Sequence, residues 1–107
     1  MLEITSPNTG ERLQVADNDF EYEMTWDQAK DACKNLGDGW RLPNYSELDT
    51  IYYELRQKGM GNFKDAYYWS SKENNAKDAW TYNFSDDIAN YSKDKTYTYY
   101  VRAVRTL

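Results

Sequence analysis

The chain has 107 residues, a formal net charge of −5, no histidine and a single cysteine. This length fits one domain, which we place over residues 1–107. Without histidine there is no histidine general base or histidine-ligated zinc, and Cys33 alone cannot form an internal disulfide. No apolar run is long enough to span a membrane, and the first residues do not form a signal peptide. We therefore expect a binding module rather than an enzyme, with no cofactor and no membrane partner, located in the cytoplasm if the chain is full length.

Tyrosine explains the low mean hydropathy of −1.01. Eleven residues are tyrosine, which hydropathy scales score as polar although its ring buries a large apolar surface. We expect a core built largely from tyrosine rather than a disordered chain. The charge is uneven, with a net −6 over residues 1–60 and +1 over residues 61–107. Since no basic cluster could follow a phosphate backbone, we expect no direct binding to nucleic acid.

Residues 1–24 are predicted to be extended. Short alternations of apolar and polar residues flank a turn at residues 6–10. The clearest alternation follows, and it predicts a strand with acidic side chains on one face and apolar side chains on the other. The acidic residues are Asp17, Asp19, Glu21 and Glu23, and the apolar residues are Phe20, Tyr22 and Met24.

Two capping boxes predict two helices. The pairs that form them are Thr25 with Gln28 and Asn44 with Glu47. Apolar residues at helical spacing follow each pair, and a glycine then ends each run. The predicted helices cover about residues 26–36 and 45–57.

The link between the helices reads Trp40-Arg41-Leu42-Pro43. We expect Trp40 and Leu42 to fill the core, and Arg41 to bind carboxylates or carbonyls, because its guanidinium is always charged and bidentate. Cys33 lies on the apolar face of the first predicted helix, where a small buried hydrophobe is the simplest interpretation.

The last part of the chain is predicted to form strands. An aromatic run at 66–71, an alternating segment at 79–84 and a Tyr-, Thr- and Val-rich segment at 96–105 are the three candidates. Polar segments at 72–78 and 85–95 separate them. Strands, then two helices, then an antiparallel meander define an α+β fold.

Four motifs in this order resemble a bacterial family typified by the C-terminal domain of collagen-like adhesins. A short helix with small residues, then Gly-Trp-Arg-Leu-Pro, then a helix that opens with Glu-Leu, corresponds to residues 25–48. Tyr68-Trp69-Ser70-Ser71 resembles the next motif, and Tyr100-Val101-Arg102-Ala103-Val104-Arg105 resembles the closing strand. The resemblance spans about residues 20–105.

This resemblance implies a C-type-lectin-like fold, with paired terminal strands, two helices flanking an antiparallel sheet, and a three-stranded meander. The related sulfatase-modifying (formylglycine-generating) enzymes share a similar Trp-Arg-Leu-Pro segment but need reactive cysteines late in the chain, which are absent here. The calcium and sugar motifs of calcium-dependent lectins are also absent, since Leu42 precedes Pro43-Asn44 and Trp80-Thr81-Tyr82 replaces the second motif. Such families are often surface adhesins, some of them trimeric, which leaves a homo-oligomer open.

The acidic alternation has three interpretations. Asp17, Asp19, Glu21 and Glu23 could form a solvated strand face that protects a sheet edge. They could pair with Arg102 and Arg105, because the implied fold brings the terminal strands together. They could also dock a basic partner or a cation, although strand spacing gives a row of carboxylates rather than a cage.

The late tyrosines are the best candidates for a binding surface. Tyrosine mixed with Asn, Ser and Asp gives rigid contact area with adaptable hydrogen bonding, as in antibody paratopes. The candidate ligand-binding residues are Asn83, Asp86, Asp87, Asn90, Tyr91, Tyr97 and Tyr99. The first hypothesis is therefore a non-catalytic module that binds a protein or glycan through residues 72–100. The alternative is a small acidic inhibitor, for example phage-encoded, that blocks a basic or nucleic-acid-binding protein through the four acidic residues.

Overall fold

The computed structural model describes residues 1–85 and 92–107 and confirms the α+β fold. The strands are β1 Leu2–Thr5, β2 Arg12–Val15, β3 Tyr67–Glu73, β4 Asp78–Asn83, β5 Ser92–Asp94 and β6 Val104–Thr106. The helices are α1 Trp26–Asn35 and α2 Tyr45–Glu54, with a 3-10 turn at Arg56–Lys58. Neither ten-residue helix is long and apolar enough to cross a membrane, and the described residues contain no other candidate.

The strands form two antiparallel sheets of three. The terminal sheet has the order β1-β2-β6, so the last strand pairs with β2 in a register that sets Val15 opposite Val104. The second sheet is the meander β3-β4-β5, with Tyr68 opposite Tyr82. The expected pairing of terminal strands and the expected meander are therefore both present.

Both capping boxes are formed. The Thr25 hydroxyl accepts from the Gln28 backbone N–H, and the Asn44 side chain accepts from that of Glu47. The second helix is shorter than predicted, because the chain tightens into the 3-10 turn before Gly59, whose φ of +72° suits glycine. Local capping chemistry thus fixed both helix starts.

The core has two clusters, one on each face of the β3–β4 pair. Tyr68 and Tyr82 lie in the cluster that packs against α2, together with the buried ring of Tyr52. Trp69 and Ala79 lie in the cluster that packs against α1, together with Cys33. Successive strand residues point to opposite faces, so one aromatic run supplies both clusters. Tyr52, Tyr68 and Tyr82 are the buried tyrosines among the described residues, so the expected tyrosine core is confirmed only in part and aliphatic side chains supply much of it.

The predicted strand at 17–24 is wrong. Within this segment only Met24 forms a β-bridge, to Tyr99, and the rest is bends and irregular backbone. Asp19 turns inward to a buried partner, whereas Asp17, Glu21 and Glu23 remain exposed. The period of two therefore reflects neither a strand nor one shared acidic face.

The predicted strand at 96–105 is also mostly wrong. Regular pairing is confined to β6, while Tyr99 bridges to Met24 and Tyr100 bridges in parallel to Tyr68. Consecutive residues thus pair with different parts of the chain, which prevents one continuous ladder. At the other end of the meander, β3 runs on to Glu73, inside the segment predicted as a loop.

Candidate functional site

Three shallow cavities adjoin one another on the surface. A cavity of about 360 Å³ shares Asn44 and Ser71 with a second of about 410 Å³. The second shares Tyr45 and Lys72 with a third of about 220 Å³ that ends at Trp80. The remaining lining residues are Asn8, Lys30, Lys34, Trp40, Arg41, Leu42 and Ser46. We call this feature the Trp40–Trp80 groove.

An ion pair fixes the backbone beside the groove. The Arg41 guanidinium donates two hydrogen bonds of 2.8 Å to the two carboxylate oxygens of Glu47. Glu47 Oε1 also accepts from the Asn44 backbone N–H at 2.8 Å, which completes the second capping box. The Glu47 hydrogen bonds raise the pKa of Arg41, so its charge is locked. The prediction that Arg41 binds a carboxylate is therefore confirmed, and the same contacts anchor the start of α2.

Three half-buried aromatic rings line the groove. Trp40 packs against the α1 cluster, and the Arg105 guanidinium lies 5.0 Å from its ring centroid. The Tyr45 ring leans on Tyr82, with centroids 5.5 Å apart. Trp80, on β4, is half-buried, although it alternates with the core residues Tyr82 and Phe84. Trp40 and Tyr45 are thus supported from inside, and all three rings still reach the surface.

Cations and small polar groups surround the rings. Lys30 lies 3.5 Å from Asp27 and 3.8 Å from the ring centroid of Trp26. Lys34 and Lys72 form no ion pair with any described residue, and the Lys72 ammonium is 5.9 Å from the Trp80 ring centroid. The groove is therefore basic in a protein whose net charge is −5.

The described late residues do not converge on one surface. Asn83 is buried, and its side-chain oxygen accepts from the backbone N–H and the hydroxyl of Ser85. Tyr99 packs edge-on against Trp69, with centroids 5.1 Å apart, and burial raises its pKa. Tyr97 is exposed. The other candidates, Asp86, Asp87, Asn90 and Tyr91, lie outside the described residues.

The four acidic candidates divide into one residue in a buried ion pair and three exposed residues. Asp19 pairs with Arg102, as one interpretation expected, but Arg105 instead donates to the side-chain oxygen of Gln14. The exposed members are Asp17, Glu21 and Glu23. No group of three or more His, Cys, Asp or Glu residues in the described ranges 1–85 and 92–107 is placed to hold a metal ion.

Cys33 is inert by geometry. The residue is fully buried in the α1 cluster, and burial raises the pKa of its thiol to about 12. The thiolate form needed for nucleophilic chemistry is therefore absent near neutral pH. The interpretation of Cys33 as a small buried hydrophobe is confirmed.

Another cavity, of about 480 Å³, lies between β1 and the end of α2. Its rim carries two ion pairs, Glu3 with Arg12 and Glu54 with Lys58. Because these charges already satisfy each other, this cavity offers a ligand fewer unpaired polar groups than the Trp40–Trp80 groove.

A known domain family matches most of the chain. The model of the Lcl C-terminal domain matches residues 7–105. The chain belongs to the Lcl C-terminal domain family. Every lining residue of the Trp40–Trp80 groove lies inside the matched range, so the groove is part of the Lcl C-terminal domain itself. The match confirms at family level the resemblance drawn from the sequence motifs. No curated protein matches the chain.

Proposed function

We propose that the chain is a non-catalytic binding module that holds a glycan, or less favourably a protein segment, in the Trp40–Trp80 groove. The observation that carries the proposal is that three half-buried aromatic rings line adjoining cavities together with Lys34 and Lys72, which form no ion pair with any described residue. Ligand sites are concave, lined by aromatic side chains and equipped with a few placed polar groups. Membership of the Lcl C-terminal domain family supports an adhesin-like binding role.

The lining suits a sugar. A pyranose ring has C–H faces that pack on aromatic rings and a rim of hydroxyls that needs donors and acceptors. Trp40, Tyr45 and Trp80 offer the packing surfaces, and Ser71 and Lys72 offer polar groups beside them. The lysines can donate to neutral hydroxyls and, more strongly, to acidic substituents.

Three features support a binding role without catalysis. The sequence has no histidine, and the Cys33 thiol is protonated and buried. Glu47, the carboxylate behind Arg41, is occupied by a bidentate ion pair and a helix cap. None of these groups is poised to transfer a proton or attack a bound ligand.

The proposed fold relationship is C-type-lectin-like. Paired terminal strands, two helices and the meander agree with what the sequence resemblance implies. The groove is lined by β3, β4, both helices, the link at residues 40–42 and the N-terminal turn. It therefore includes Lys72 and Trp80 from the expected interval 72–100 but not the buried Asn83.

The acidic inhibitor remains a second candidate. Asp17, Glu21 and Glu23 are exposed on a chain of net charge −5, and such charge steers association with a basic partner. The support is weaker than for the groove, because Asp19 is used in a buried ion pair.

An oligosaccharide array that contains neutral and acidic glycans tests the proposal. We expect binding by the intact chain and a loss of about tenfold or more with Trp80→Ala, since tryptophan is among the residues that most often dominate binding energy. Tyr53→Ala is the matched control, because Tyr53 is an exposed ring on α2 outside the groove. Loss of binding with Tyr97→Ala but not with Trp80→Ala would move the site to the late loops. Absence of binding to every glycan would overturn the glycan assignment.

A further inference from the structure

A second surface lies apart from the Trp40–Trp80 groove. Residues 16–20 and Leu36 enclose a cavity of about 290 Å³ whose apolar walls are Ala16, Phe20 and Leu36. The Leu36 side chain is 48% exposed at the end of α1, and Tyr22 is 72% exposed on the same loop as Phe20. Large apolar side chains at the surface around a concave site are typical of interaction sites. We call residues 16–23 with Leu36 the loop surface.

The loop surface is negatively charged. Asp17, Glu21 and Glu23 are exposed, and none of them forms an ion pair with a residue in the described ranges. The cations that approach this segment, Arg102 and Lys64, both contact Asp19. Because both cations contact Asp19 and form no ion pair with the other three carboxylates, those three remain available to an incoming cation.

Internal bonds hold the loop surface in place. The backbone N–H groups of Ala16 and Phe20 donate to the carbonyls of Ala103 and Val101 at 2.9 and 3.1 Å. The buried Arg102 side chain donates to the Ala16 carbonyl at 2.9 Å and to Asp19 at 2.8 Å. A preformed loop loses little conformational freedom when a partner binds.

We infer, resting on the second candidate function above, that the loop surface docks a basic segment of a partner protein, with an apolar side chain in the cavity and flanking Lys or Arg side chains on the carboxylates. Charge complementarity selects this occupant, because apolar walls need an apolar group and three unpaired acids need cations. A metal ion does not fit, since no three carboxylates of the described residues converge. The loop surface shares no lining residue with the Trp40–Trp80 groove, so either site can exist without the other.

A titration with a synthetic peptide tests this inference. The probe has the sequence Gly-Ser-Lys-Lys-Leu-Lys-Lys-Ser-Gly, and amide resonances of the intact, nitrogen-15-labelled chain report its position. We expect shifts concentrated at residues 16–23 and Leu36. Replacing the central leucine of the probe by serine should weaken binding about fivefold, in line with the partial burial of one leucine side chain in an open cavity. Absence of shifts at these residues, or equal binding of the serine peptide, would overturn the inference.

Charge reversal provides the matched comparison. Glu21→Lys with Glu23→Lys should raise the Kd of the peptide about tenfold at physiological ionic strength, where charges outside the loop surface are screened. Glu11→Lys with Asp31→Lys changes the net charge equally at exposed positions outside the loop surface and should change the Kd less than twofold. Equal effects of the two double variants would show that only overall charge attracts the peptide and would contradict the site. Unchanged thermal unfolding of both variants confirms that each remains folded.

Discussion

Arg102 and Asp19 form a buried ion pair across 83 positions of the chain. The Arg102 Nε lies 2.8 Å from Asp19 Oδ1, and the side chains are 0% and 5% exposed. The Tyr68 hydroxyl donates to the second carboxylate oxygen at 2.7 Å, and Arg102 also donates to the Gly61 carbonyl at 2.7 Å. One guanidinium thus ties the loop at 16–23 to the last strand region and to the segment after the 3-10 turn.

Removal of this guanidinium should destabilise the fold strongly. Arg102→Met leaves the buried Asp19 carboxylate with the exposed Lys64 ammonium, 3.6 Å away, as its only cation among the described residues, which costs about 3 kcal/mol. Urea unfolding followed by circular dichroism measures the free energy. The control Arg105→Met, at a half-exposed arginine, should cost less than about 1 kcal/mol. A double variant with Asp19→Leu and Arg102→Met should recover part of the lost free energy of unfolding. Equal costs of Arg102→Met and Arg105→Met would contradict this account.

Alkaline pH should weaken the fold through Cys33. Burial raises the pKa of its thiol from 9.0 to about 12, so the protonated form is favoured in the folded state. The resulting stability is complete below pH 9 and is lost as the pH rises toward 12, by at most about 1.4 kcal/mol per pH unit. Burial also raises the pKa of Tyr82, which adds to the loss above pH 10.

Urea unfolding at pH 8, 9 and 10 measures this dependence. Cys33→Ala should flatten the slope between pH 9 and 10, because the titrating thiol is gone. An identical slope in the variant would rule out Cys33 as the cause. In the native chain at pH 8, we also expect the thiol to react with a disulfide reagent only after unfolding.

Glu47 should contribute far more to the free energy of unfolding than its position at the start of a ten-residue helix suggests. Its side chain is 4% exposed and satisfies both Arg41 and the Asn44 backbone N–H. Glu47→Gln removes the charge and one acceptor of the Arg41 pair, with an expected cost of about 1.5–3 kcal/mol. Glu54→Gln, at the exposed end of the same helix, should cost less than about 0.5 kcal/mol. Similar costs for the two variants would refute the anchoring role of Glu47.

Local patterns in the sequence predicted the helices and most of the meander. The capping boxes at Thr25 and Asn44 act within four residues, so their chemistry is visible in the chain itself. The alternation at 79–84 likewise marked β4, which spans Asp78–Asn83. The guanidinium chemistry of Arg41 predicts a carboxylate or carbonyl partner, which the structure identifies as Glu47.

Long-range pairing explains what the sequence did not predict. The alternation at 17–24 is regular, but Arg102 draws Asp19 inward from a distant part of the chain and only Met24 joins a bridge. The Trp40–Trp80 groove combines side chains from the N-terminal turn, both helices and two strands. No spacing in the sequence reports that combination, and Trp80 alternates like the core residues Tyr82 and Phe84.

The four indole N–H resonances of the intact chain give the most direct test of the Trp40–Trp80 groove. Two of these groups are bonded internally, Trp26 to the Ser70 carbonyl at 2.9 Å and Trp69 to the Met24 carbonyl at 2.8 Å. Titration with an oligosaccharide selected on the array should shift the resonances of Trp40 and Trp80 and leave those of Trp26 and Trp69 in place. Unchanged indole resonances of Trp40 and Trp80, with shifts confined to the backbone amide resonances of Tyr97 and Tyr99, would contradict the groove as the binding site.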